Sequence, residues 1–146
     1  MSKRLRVLLA LKSLVAAALP GADVRGLDNG AAKPDRIAPG GRVVVRAGDP
    51  GQPEVDLSPP TYHFAHRIPL ELAGYPSATQ TADAVVDTML GRIGVAIAAD
   101  RTLGGLCDHL EALAPGTDDI GADGTAVAGG ADLVIVAHYA TTDPLN

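Results

Sequence analysis

With 146 residues, 47% of them hydrophobic but only 3% aromatic, the chain is sized for one compact domain with a core of Val, Leu, Ile and Ala. A formal net charge of −5 and a pI near 5.2 exclude a nucleic-acid binder held by a basic surface, because that mode gains affinity by neutralising phosphates; a protein that DNA merely passes is compatible with them. The single cysteine, Cys107, excludes an intramolecular disulfide framework and a Cys-rich zinc site, and no run reaches the roughly 20 apolar residues that span a bilayer.

Lys3, Arg4 and Arg6 precede an apolar stretch from Val7 to Leu19, and Ala16-Ala17-Ala18 resembles a signal-peptidase site. Lys12 interrupts that stretch. On a helical wheel, Leu14, Val7, Ala18, Leu11, Val15, Leu8 and Leu19 share one arc, with Arg6 and Ser13 opposite. A secretory leader needs only bulk hydrophobicity, whereas a packed helix needs one apolar face, so the pattern predicts an amphipathic helix. Pro20-Gly21 stops it, and a short strand over residues 22–26 follows. Residues 27–40 read as loop. The β-branched run Arg42–Ala47 predicts a strand. Residues 48–60 contain four prolines and predict a long hairpin-type connection without regular ladder bonding.

Residues 61–73 give the clearest strand. Tyr62, Phe64, His66, Ile68, Leu70 and Leu72 alternate with His63, Ala65, Arg67, Pro69 and Glu71, a period of two that places one face on a core and one in water. Pro69 has no N–H to donate, so the strand is expected to lie at an edge or to be bulged there. Ser77-Ala78-Thr79-Gln80 has the form of a capping box opening a helix that runs to about Ala99. Beside its apolar arc runs a stripe of small residues, Ala84, Asp87, Gly91, Gly94 and Ala98. Glycine inside a helix costs about 1 kcal/mol against alanine, so this stripe predicts close approach by another element. Leu103, Leu106, Leu110 and Leu113 recur at helical spacing and predict a third helix. Residues 116–131 read as an acidic, Gly-rich loop, and Leu133–Thr141, apolar on both sides, as a central strand.

This order predicts an α+β domain over residues 1–146: a mostly antiparallel sheet of about four strands with helices packed on one face, and no internal repeat. Chemistry-bearing residues are sparse. His63 and His66 are three apart on a strand and point to opposite faces, so they cannot chelate one ion, and His66 reads as a satisfied core histidine. Cys107-Asp108-His109 suggests a nucleophile cluster, but adjacent helical positions diverge, and a Cys–His pair would need His138 brought in by the fold. The stretch Asp100-Arg101-Thr102-Leu103-Gly104-Gly105-Leu106 lacks the spacing of a phosphate-binding loop and predicts a tight inter-helix corner capped by Asp100 or Thr102. Asp118, Asp119 and Asp123 lack the alternating ligands and terminal Glu of a calcium loop. The sequence therefore predicts no catalytic, cofactor-binding or metal residue, and no enzyme.

Three stretches carry a resemblance: Tyr62-His63-Phe64-Ala65-His66-Arg67-Ile68-Pro69-Leu70-Glu71-Leu72, then Asp100–Leu106, then His138-Tyr139-Ala140-Thr141-Thr142-Asp143-Pro144-Leu145. In this order and spacing, over roughly residues 60–145, the chain resembles the tail-terminator and tail-completion proteins of long-tailed phages, prophages and phage-like gene transfer agents. The resemblance implies a virion structural protein without a cofactor, located at the tail neck and, during assembly, in the host cytoplasm. It implies a ring, typically a homohexamer, that caps the tail tube, ends its polymerisation and joins it to the head connector or head-completion protein. DNA would pass the lumen without specific binding, and no membrane is involved. A cyclic ring joins one patch to a different patch on the neighbour. Ala84, Asp87, Gly91 and Gly94 of the small-residue stripe, with Arg67 and Glu71 on the outer face of the 61–73 strand, are the candidate contacts. Asp118, Asp119 and Asp123 are candidate lumen residues that would repel DNA phosphates, and the 48–60 loop is expected to order on meeting the tube. Alternative readings are another neck or tail-tube component such as a head–tail joining protein, a small exported binding protein, or an acyl-group enzyme using Cys107.

Overall fold

The computed structural model describes residues 1–27, 38–120 and 128–146. The fold is α+β: among the described residues, helices α1 (Lys3–Ala18) and α2 (Ala82–Ala99) accompany seven strands, β1 (Asp23–Arg25), β2 (Arg42–Val45), β3 (Glu54–Leu57), β4 (Pro60–Gly74), β5 (His109–Ala112), β6 (Gly116–Ile120) and β7 (Ala128–Thr141). All strand pairs are antiparallel except β1 with β2. The sheet has the order β1-β2-β4-β7-β5, with β3 also on β4 and β6 also on β7.

The long antiparallel pair β4–β7 forms the spine, in register from Tyr62 opposite Thr141 to Gly74 opposite Gly129. Its even-numbered β4 positions and odd-numbered β7 positions face the core, so Ile68 lies opposite Ile135 and Leu70 opposite Leu133, all four buried. β2 and then β3 follow one side of the spine, and β5 and then β6 follow the other. β1 apart, each half of the chain thus runs helix, interrupted outer strand, unbroken inner strand. This structural repeat has no counterpart in the residue pattern.

α1 buries Val7, Leu8, Leu11 and Val15, the arc expected of an amphipathic helix, and α2 buries Val85, Val86, Met89, Ile93 and Ile97. These side chains and the inner sheet face form one core cluster, into which Leu103, Cys107 and Leu110 also pack. Among the described residues, no helix is long and apolar enough to cross a membrane.

Several sequence expectations need correction. Residues 103–113 form no third helix. Leu103, Gly104 and Gly105 have φ of 50°, 67° and 94°, a left-handed run that a right-handed helix cannot contain, and the chain then enters β5. The leucine spacing is satisfied differently, with Leu103 anchoring the turn in the core and Leu110 pointing inward from the strand. The 48–60 stretch carries a regular ladder after all: β3 pairs Glu54 with His63 through Leu57 with Pro60, and the prolines fall outside or at the end of the pairing. The 116–131 stretch is not all loop, since Gly116–Ile120 is β6 and β7 begins at Ala128. The Ser77 hydroxyl accepts from the amides of Thr79 and Gln80 in a turn, while the helix cap lies four residues on, where the Thr81 hydroxyl accepts from the Ala84 amide at 3.2 Å.

Pro69 shows how one residue shapes a ladder. β4 is central rather than an edge strand, but its pairing breaks where the expectation placed a bulge. The Pro69 carbonyl accepts from the Arg46 amide at 2.9 Å, and Pro69 has nothing to donate in return. The outer strand leaves the ladder there and rejoins at Asp49, which exchanges backbone bonds with Arg67. Gly48 sits in this bulge at φ 65°, where an added Cβ would lie 2.0 Å from the Arg67 carbonyl oxygen.

Candidate functional site

The two faces of the sheet differ in chemistry. On the inner face, His66 is fully buried among apolar side chains and bonded at both ring nitrogens, Nε2 to the Ala47 carbonyl at 2.7 Å and Nδ1 to the Tyr139 hydroxyl at 3.0 Å. A carbonyl can only accept, so Nε2 carries the proton and Nδ1 accepts from the tyrosine. The Ala47 carbonyl is free to serve His66 because the bulge beside Pro69 removes it from the ladder. Burial holds His66 below its ordinary pKa of 6.5, and burial pushes Tyr139 up to about 12. His66 is the satisfied core histidine that the sequence predicts.

Among the described residues, no helix covers the opposite face. His63, Ala65, Arg67 and Glu71 are exposed on it, with Glu71 paired to Arg46 at 2.9 Å. A cleft of about 580 Å³ opens here, lined among others by Glu54, Asp56, His63, Asp108, His109 and His138. His63 and His66 point to opposite faces as expected, and His63 Nε2 lies 2.8 Å from the Asp56 carboxylate across the β3–β4 hairpin.

Opposite His109 in the β5–β7 register lies His138, and Glu111 follows His109 on the same face of β5. The two imidazole rings stack at 4.2 Å with planes 14° apart. His138 Nε2 is 3.3 Å from Glu111 Oε2, and one donor atom from each of the three residues falls within 4.8 Å of the others. This cluster is absent from the sequence reading, because a helix over 103–113 would have turned His109 and Glu111 apart. The legible signal was the alternation His109-Leu110-Glu111 beside a second strand carrying His138.

Cys107 is not part of it. Its thiol is buried, Sγ lies 3.8 Å from the Arg101 carbonyl, and burial, with Asp108 and Asp100 nearby, pushes it up to about 11. A protonated, enclosed thiol is a poor nucleophile. The 100–106 stretch is a tight corner as predicted, although it joins helix to strand. The Asp100 carboxylate accepts from the Gly104 amide at 3.1 Å and the Thr102 hydroxyl from the Gly105 amide at 3.1 Å, so these amides are occupied internally.

Of the candidate contact residues, Asp87, Gly91, Gly94, Arg67 and Glu71 are exposed and Ala84 is half-buried. Among the described residues, no element approaches the glycines of α2: a Cβ at Gly91 or Gly94 would meet no atom within 4 Å. Instead, Gly91 helps line a shallow apolar groove of about 400 Å³ with Ala18, Thr88, Arg92, Val95, Ala96 and Ala99, where Val95 is 72% exposed. At the other end of α1, Lys3 Nζ donates to the Ala140 carbonyl, and the β3–β4 hairpin projects with Val55 45% and Leu57 80% exposed. Asp118 and Asp119 belong to β6, opposite Gly130 and Gly129, and Asp123 lies outside the described residues. The sequence matches no protein-family model and no curated protein.

Proposed function

We propose that the chain is an assembly subunit that closes into a ring, and that its work is that of a phage-type tail terminator: capping a tail tube and joining it to a head connector. The observation that carries this reading is a pair of apolar features at opposite ends of α1. One is a projection, the hairpin tip with Val55 and Leu57; the other is a groove lined by Gly91, Val95 and Ala96. A projection that seats in a different patch on the next copy is a heterologous contact, and repeated around an axis it closes a ring. Arg92 at the groove complements Glu54 and Asp56 on the hairpin. The small residues of α2 then have a reason, since they let a neighbour's backbone come close. Exposed apolar hairpin edges invite pairing or aggregation unless a partner covers them. Asp118 and Asp119 remain the lumen candidates, on an outer strand.

The test is light scattering and negative-stain imaging of the purified chain, alone and mixed with the tube protein of the same genome. The expected product is a ring of one size that stops tube growth. Leu57→Asp should leave the subunit folded and abolish the ring, because the side chain makes no core contact. Open-ended polymers would favour a tube protein, and rings that survive Leu57→Asp would refute the contact.

A further inference from the structure

We propose that His109, Glu111 and His138 bind one borderline divalent transition metal ion, with Zn²⁺ as the reference ion. The fold fixes the backbone of all three. Leu110 is fully buried in the core, which forces its neighbours His109 and Glu111 onto the helix-free face, and the β5–β7 register sets His138 directly opposite His109. The donor atoms already cluster within 4.8 Å of one another, and the Glu111 to His138 separation of 3.3 Å equals the edge of a ligand tetrahedron. For donors about 2.0–2.1 Å from an ion that edge is roughly 3.3 Å; an imidazole nitrogen binds within its ring plane, so the exposed His109 ring turns out of its stack on His138 to complete the set.

The chemistry selects the ion. Two imidazoles and one carboxylate suit zinc, nickel or copper, whereas magnesium and calcium prefer all-oxygen shells. His63 stays outside the set, because its Nε2 is held by Asp56 at 2.8 Å. Three protein ligands leave at least one coordination position open, the pattern of a site that accepts a further ligand. The inference is independent of ring formation.

The experiment is equilibrium dialysis and calorimetry of the untagged chain with Zn²⁺, with and without excess Mg²⁺, followed by X-ray absorption at the zinc edge. The expected result is one Zn²⁺ per chain, undisturbed by Mg²⁺, with a scattering pattern of two imidazoles. His138→Ala and His109→Asn should each weaken binding at least about tenfold, and Glu111→Gln should weaken it too. His63→Ala should leave it unchanged. All four positions lie on the sheet's outer face, so metal-free melting curves should overlay and separate loss of binding from loss of fold. Absence of stoichiometric binding, binding that survives His138→Ala, or binding lost in His63→Ala would overturn the assignment and leave the histidines a stacked pair only.

Discussion

His66 and His138 lie on adjacent strands of one sheet but on opposite faces, and the comparison separates what holds this molecule together from what it offers outward. His66 is enclosed, neutral and bonded at both nitrogens within the chain. His138 stands on the open face, stacked on the His109 imidazole and 3.3 Å from the Glu111 carboxylate. The same residue type does different work because strand alternation sends one ring inward and the other outward.

The largest test of that contrast compares neighbours on β4. Ile68→Ala on the inner face should cost about 2–5 kcal/mol in urea denaturation, from lost burial plus a cavity. Arg67→Ala, one residue away on the outer face, should stay within about 0.5 kcal/mol. Next is Tyr139→Phe, which leaves His66 Nδ1 buried without its donor and should cost about 1–3 kcal/mol.

A smaller effect is the pH dependence. Since the folded pKa of His66 lies below 6.5, the unfolded chain binds more protons in acid. The stability it contributes is therefore complete above 6.5 and is lost as pH falls from there through the folded value, at no more than about 1.4 kcal/mol per pH unit for one proton. Denaturation midpoints between pH 7.5 and 5 check this, and the part of the slope due to His66 should vanish in His66→Gln. Tyr139 works in the other direction: its contribution is intact below 10.0 and is lost as pH rises towards about 12. The smallest expected change is a gain. Gly94→Ala meets open space on a helix and should raise stability by up to about 1 kcal/mol.

The two faces differ also in what a sequence reveals. β4 is legible because strict alternation over Tyr62–Leu72 has no helical rendering, and β7 because an apolar run bounded by Gly and Pro suits a strand paired on both sides. α1 is legible from its single apolar arc. β5 was hidden because Leu103, Leu106, Leu110 and Leu113 match a helical period, and only the left-handed turn at Leu103–Gly105 shows that two of them belong to a corner. β3 and β6 were hidden because edge strands need no apolar alternation, and Pro, Asp and Gly there are tolerated. The histidine cluster went with β5, since cross-strand partners 29 positions apart become neighbours only once a register is known. The helix-free face, the projecting hairpin and the groove beside Gly91 are properties of packing that no single segment encodes.

The central claim, that one copy's hairpin tip seats in the next copy's α1–α2 groove, is tested most directly by disulfide trapping. In a Cys107→Ser background, Leu57→Cys and Val95→Cys are introduced together and the purified chain is oxidised. The account predicts a cross-linked ladder that ends at a single ring size, with Leu57→Cys alone giving no ladder. A product that stays monomeric in the presence of tube protein, or one in which Leu57→Cys alone cross-links as completely as the pair, would contradict it.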